Sequence, residues 1–229
     1  MLGAVGATVA AACGGETPTS PSVIAAPVTT TPTTTAPAAG AAACAVSPSE
    51  TAGPYPSLTD LIRSDIREGS AGIPLVLVLT VVNVNNTCTP VANANVEIWQ
   101  CDAGGHYSQY SQPGYDGRAQ TYLRGIQTTD SAGRVTFTTV YPGWYAGRAT
   151  HIHIEVTING RSTKVTQIAF PESVNAQVYG TGVYASRGKN PTSNTSDMVF
   201  SDSLSSEMAV MSGDTASGFM GTYTVGVSV

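Results

Sequence analysis

The stretch HIHIEVTI, residues 151–158, alternates apolar and polar side chains at every second position. In a β-strand residues i and i+2 face the same side, so Ile152, Ile154 and Val156 form one apolar face. His151 and His153 then point together from the other face, their Cα atoms about 6.6 Å apart. Similar patterns recur in IPLVLVLTVVNV (73–84), ANVEIWQ (94–100), RVTFTTVY (134–141), KVTQIAF (164–170) and GTYTVGVSV (221–229), with Gly, Pro, Asn or Asp near their ends. Short strands bounded by turn residues predict an all-β chain, an immunoglobulin-like β-sandwich. Helix is nearly absent; only SLTDLIRSDIREG (57–69) offers a turn or two. Two irregular stretches, 102–121 and about 185–217, exceed ordinary connections, and loops of that length are usually functional or disordered.

The chain has 229 residues, of which charged residues make up 11%, and a net charge of −5. No basic stripe is present to neutralise phosphates, which argues against a nucleic-acid partner. Residues 1–16 are apolar and small, and MLGAVGATVAAACGG resembles the end of a bacterial lipoprotein signal with Cys13 as the lipidated residue. A positive n-region is missing and Ala10 stands where leucine is commoner, so the true start is expected upstream. Residues 17–43 form a Pro/Thr/Ala tract that buries too little apolar surface to order itself, predicting a disordered tether. Residues 44–229 form the folded domain. This layout predicts an exported protein held at a bacterial surface, attached to the membrane through Cys13.

With Cys13 set aside for lipid, Cys44, Cys88 and Cys101 remain. Cys88 and Cys101 flank the short strand NANVEIWQC, and their disulfide is expected in an oxidising compartment, leaving Cys44 to stay free or to pair outside the chain. Buried free thiols are the alternative.

Two histidines on one strand face can hold a metal ion but do not make a site. His106 is the third and last histidine, expected at the surface, and the sequence has no CxxC or carboxylate cluster. Tyrosine is what it offers: Tyr145, six residues before His151, and Tyr107 in CDAGGHYSQY. A phenol ionises near pH 10, so a tyrosinate ligand at neutral pH needs a strongly Lewis-acidic ion, and ferric iron is the natural candidate.

The runs VEIWQCDAGGHYS (96–108), YLRGIQTTDSAGRVTFTTVYPGWYAGRATHIHIEV (122–156) and STKVTQIAFP (162–171) resemble the intradiol ring-cleaving dioxygenases, above all their exported, single-chain bacterial branch. SPSETAGPYPSLTDLIRSDIREG (47–69) is similar to the segment preceding the family's catalytic sandwich. The resemblance covers about residues 44–229. It implies a non-haem Fe(III) held by Tyr107, Tyr145, His151 and His153, with a small aromatic diol and O2 as substrates and a cis,cis-muconate as product. It further implies that Tyr145 is both ligand and base, that Arg148 lies beside the substrate ring, and that Gln167 supports Arg148. Tyr55 in AGPYP matches a segment that lines the pocket mouth in relatives, although a turn tyrosine is an equal reading. Arg124 is expected to be a structural salt-bridge or hydrogen-bond partner on its strand, and Trp99 and Trp144 packing residues.

A tethered β-sandwich also suits a binding module without catalysis, but such a module has no reason to keep four ligand-type residues in register with Arg148 and Gln167. A zinc or copper site fits tyrosine-rich ligation less well. The diol itself is left open among catechol, protocatechuate and hydroxyquinol, and a sandwich edge that can pair leaves a homodimer open.

Overall fold

A computed structural model describes residues 44–229, together with Gly3 and Gly6. Cys13, the expected tether at 17–43 and nearly all of the expected signal at 1–16 lie outside the described residues. The strands in chain order are β1 (Pro74–Asn83), β2 (Thr89–Pro90), β3 (Asn95–Trp99), β4 (Ser111–Gln112), β5 (Tyr115–Asp116), β6 (Arg124–Thr128), β7 (Arg134–Val140), β8 (His151–Ile158), β9 (Arg161–Ala169), β10 (Val210–Asp214) and β11 (Gly218–Val227). Two short helices, α1 (Glu172–Val178) and α2 (Leu204–Glu207), follow β9.

One sheet runs β10-β11-β1-β2, with β7 also paired to β1; the other runs β6-β3-β8-β9. Leu75, Leu77, Leu79 and Val81 of β1 and Val135 and Phe137 of β7 meet Val96, Ile98, Ile152, Ile154 and Val156 in one buried cluster. Burying each such side chain contributes about 1.5–3 kcal/mol. The architecture is therefore the all-β sandwich that the alternation predicts.

The second sheet has its apolar face on this core, so its other face is where polar side chains collect. The register places Arg124 opposite Trp99, Trp99 opposite His153, and His153 opposite Gln167. Directly paired residues share a face, and these four residues form one row across all four strands.

Two expectations are corrected. Residues 57–69 hold no helix: Ile62 bridges to Ile126 of β6 and Asp65 to Thr138 of β7, so the segment runs extended past both sheets. Cys88 pairs with Cys44, at a Cα separation of 5.5 Å, and not with Cys101, which is a buried free thiol. The reason is the strand between them. β3 alone holds its ends about 13 Å apart at 3.3 Å per residue, well beyond the roughly 7 Å that a disulfide spans. Cys101 instead packs with Trp99 and Tyr107.

Candidate metal centre

The row on β8 is fixed before any ligand is considered. His151 and His153 are 2% and 1% exposed. Trp99 stacks flat on the His153 ring, with centroids 4.9 Å apart and planes within 1°. His151 Nδ1 lies 2.6 Å from the Ala149 carbonyl oxygen, an acceptor only, so Nδ1 carries the proton. His151 Nε2 is therefore an unprotonated lone pair, turned toward His153 Nε2 at 3.2 Å.

Two loops bring phenols to the same point. Tyr145 follows β7 on the turn PGWYAG, where Gly143 packs so closely that a Cβ would sit 2.3 Å from the Asp102 carbonyl oxygen. Tyr107 is presented by the 102–121 loop, which Asp102 organises by accepting the backbone N–H groups of Gly104 and His106, each at 2.8 Å. The Tyr107 and Tyr145 hydroxyls lie 3.5 and 3.4 Å from His151 Nε2. Two phenol oxygens and two imidazole nitrogens thus converge on a shared space, and these four residues could hold one metal ion.

The electrostatics suit a cation. Burial holds both imidazoles neutral, His151 at about 3 and His153 well below its ordinary range, and the Arg148 charge adds to the effect. Burial also raises both phenols, Tyr107 well above its usual value and Tyr145 to about 12. The single lone pair of His151 Nε2 can accept one hydrogen bond from the three groups around it, whereas a multivalent cation would engage all four donors and ionise the phenols. Among the described residues no cluster of three His, Cys, Asp or Glu exists to hold a divalent ion more conventionally.

Arg148 borders this space. Its Nη2 donates to Gln167 Oε1 at 2.5 Å and its Nε to Asp197 Oδ2 at 2.9 Å. Gln167 Nε2 in turn donates to the Thr51 carbonyl at 2.8 Å, tying β9 to the segment that carries Gly53 and Tyr55. Gly53 has φ +70°, and a Cβ there would meet His153 Cε1 at 3.0 Å. Tyr55 stacks on Tyr107 at 4.8 Å and meets Tyr145 edge-on at 6.2 Å. His106 is partly exposed and stacks on Tyr115, away from the four donors.

Sequence reasoning misses Asp197. It is fully buried, and its carboxylate also accepts the N–H groups of Ala149 and Val199. Its only sequence signal is membership of the overlong 185–217 stretch. Arg124 proves to be a hydrogen-bond partner without a salt bridge: it is 0% exposed and donates to Ser108 and to the Tyr55 carbonyl.

Comparison with known proteins agrees with this geometry. Residues 51–186 match the sequence model of a family described as Dioxygenase. A solved intradiol ring-cleavage dioxygenase from Tetranychus urticae is 32% identical, with a TM-score of 0.74 over 81% of this chain and 95% of that one. The dioxygenase domain of a dioxygenase and carbohydrate-binding protein fusion from Streptomyces sp. SirexAA-E is 26% identical, with a TM-score of 0.61 over 81% and 99%. The 6-chlorohydroxyquinol 1,2-dioxygenase of Cupriavidus pinatubonensis is 30% identical over 123 residues, 46% of this chain and 42% of that protein. The chain thus spans less than half the length of the curated relatives it matches. With a family match over most of the sandwich and a near-complete structural counterpart at 32% identity, the chain belongs to the intradiol ring-cleavage dioxygenase family.

Proposed function

We propose that the protein uses a non-haem Fe(III), held by Tyr107, Tyr145, His151 and His153, to cleave a catechol-type aromatic diol with O2. The bond between the two hydroxylated carbons breaks and both oxygen atoms enter the product, a cis,cis-muconate. The observation that carries this reading is the convergence of two phenols and a second neutral imidazole on His151 Nε2 within 3.5 Å. Ferric iron, when bound, supplies the Lewis acidity that ionises these phenols and the diol and activates the diol toward O2.

The chain's own residues do the rest. Tyr145 is the less buried of the two phenols and its affinity for a proton is high, at about 12. Once ionised, its Oη is a strong base, able to take a proton from an incoming diol hydroxyl. Arg148 stands three residues after Tyr145, its backbone N–H donating to the Tyr145 carbonyl, with its guanidinium braced by Asp197 and Gln167. It offers fixed positive charge to a substrate that becomes anionic, without reorganising at the moment of reaction. Tyr55 and Trp99 wall the donors with aromatic surface and exclude water. A tethered binding module without catalysis would make no use of this set.

Export to a bacterial surface is part of the proposal, and the Cys44–Cys88 disulfide supports an oxidising compartment. The test is a visible spectrum of iron-loaded protein with and without catechol in the absence of oxygen. The expected result is a broad charge-transfer band that shifts on adding catechol, followed by oxygen uptake. A colourless protein after iron reconstitution would overturn the reading.

A further inference from the structure

Arg124 is a cation in an unusual place. Its side chain is fully buried, and all the acceptors its guanidinium reaches are neutral. Nε donates to Ser108 Oγ at 2.9 Å, Nη2 to the Ser108 carbonyl at 2.7 Å, and Nη1 to the Tyr55 carbonyl at 2.9 Å and to Ser57 Oγ at 3.5 Å. Among the described residues no carboxylate lies in ion-pair range of it; the five ion pairs involve other residues. A buried charge without a partner is costly.

What faces this charge is aromatic. The guanidinium carbon lies 5.8 Å from the Tyr107 ring centroid and 5.4 Å from that of Tyr110. Tyr110 is engaged otherwise, its hydroxyl donating to the Pro56 carbonyl at 2.6 Å. Tyr107 donates no hydrogen bond to a carbonyl or carboxylate; its hydroxyl points at His151. An ionised phenol spreads its charge into the ring, so an ionised Tyr107 is the counter-ion that Arg124 lacks. The same guanidinium also bonds the residue after Tyr107 and the carbonyl of Tyr55, whose ring stacks on Tyr107. It therefore holds Tyr107 from both sides and stands in the row Arg124, Trp99, His153, Gln167.

We propose that Arg124 is a positioning residue for Tyr107 as an anion: its charge holds the phenolate and weakens that ligand's electron donation to the metal, while its hydrogen bonds fix the ring. This rests on the iron reading given above. A positive charge beside the Tyr107 ring, 5.8 Å from its centroid, lowers the phenolate's donor orbital, so its removal would raise that orbital toward the acceptor orbital of a bound metal.

The test compares iron-loaded wild type, Arg124→Gln and Arg124→Lys by visible spectrum, by Fe(III)/Fe(II) potential and by iron affinity. In Arg124→Gln the charge-transfer band moves to longer wavelength, the potential falls, and iron binds about 10–100-fold more weakly, as for loss of a group supporting a ligand. Arg124→Lys keeps the charge but cannot make all of these bonds: its potential stays close to wild type while iron affinity still drops. If Arg124→Gln does not fold, Arg124→Lys decides alone, and wild-type iron affinity in that variant overturns the proposal. Wild-type band, potential and affinity in both variants overturn it as well. A wild type without any band rejects the iron reading itself, which is a separate result.

Discussion

The Arg148 guanidinium is held by Asp197, Nε to Oδ2 at 2.9 Å, and that carboxylate is wholly buried while Arg148 is nearly so. Asp197 also accepts two backbone N–H groups, so an asparagine would keep some of those bonds and lose the charge. We expect Asp197→Asn to leave Arg148 as a buried cation without its partner. Removing one member of a buried pair costs about 3–5 kcal/mol. Turnover of a catechol should fall about 10–100-fold, because Arg148 is no longer held at the edge of the donor space. Thermal unfolding and steady-state kinetics on the same preparation check both; wild-type kinetics would mean that Arg148 is placed without Asp197.

Tyr145→Phe tests the base. The variant keeps Tyr107, His151 and His153, and its ring fills the same space against Tyr55 and Tyr107. It loses one phenol oxygen at 3.4 Å from His151 Nε2. Loss of a ligand and of a general base together should lower turnover by more than about 100-fold. The charge-transfer band should weaken and persist through Tyr107. Tyr55→Phe, which keeps the stacked ring and alters no donor, should retain most of the activity.

The parts of the site that were legible were those where local chemistry and placement coincide. The alternation of β8 gives both the core face and the histidine face, because a strand's period of two makes one imply the other. Tyr145 was legible because it lies six residues from His151 across a single turn. Asp197 and the bonding of Arg124 were not, since each depends on which distant loop a buried charge meets, and 49 residues separate Arg148 from Asp197. The cysteines show the converse error: residues close along the chain at opposite ends of a strand are held apart by it.

The Cys44–Cys88 bond closes a loop across a sequence separation of 44 residues. Chain-entropy reasoning gives such a bond about 4 kcal/mol of stability through the unfolded state. Reduction, or the double change Cys44→Ser with Cys88→Ser, should lower the unfolding free energy by about that amount. Non-reducing peptide mapping should recover the 44–88 pair. The Cys101 thiol, buried and held protonated by that burial, should react with alkylating agents only after unfolding.

Glu207 predicts how stability depends on pH. It is fully buried; Oε2 accepts from Ser203 Oγ at 2.7 Å, while Oε1 has no partner. Burial raises its carboxyl to about 7 from an ordinary 4.5, and the nearby Glu50 and Asp202 charges add to this. Burial likewise raises Glu50, with Asp202 contributing. A carboxyl whose folded value lies above its unfolded value favours the fold while protonated. Its contribution is complete below about 4.5 and is lost as pH rises to about 7. Thermal melts should therefore show stability declining across that window and levelling above it. Glu207→Gln, which carries the neutral form at every pH, should flatten the decline and raise the melting temperature at pH 8; an unchanged slope would assign the pH dependence to other groups.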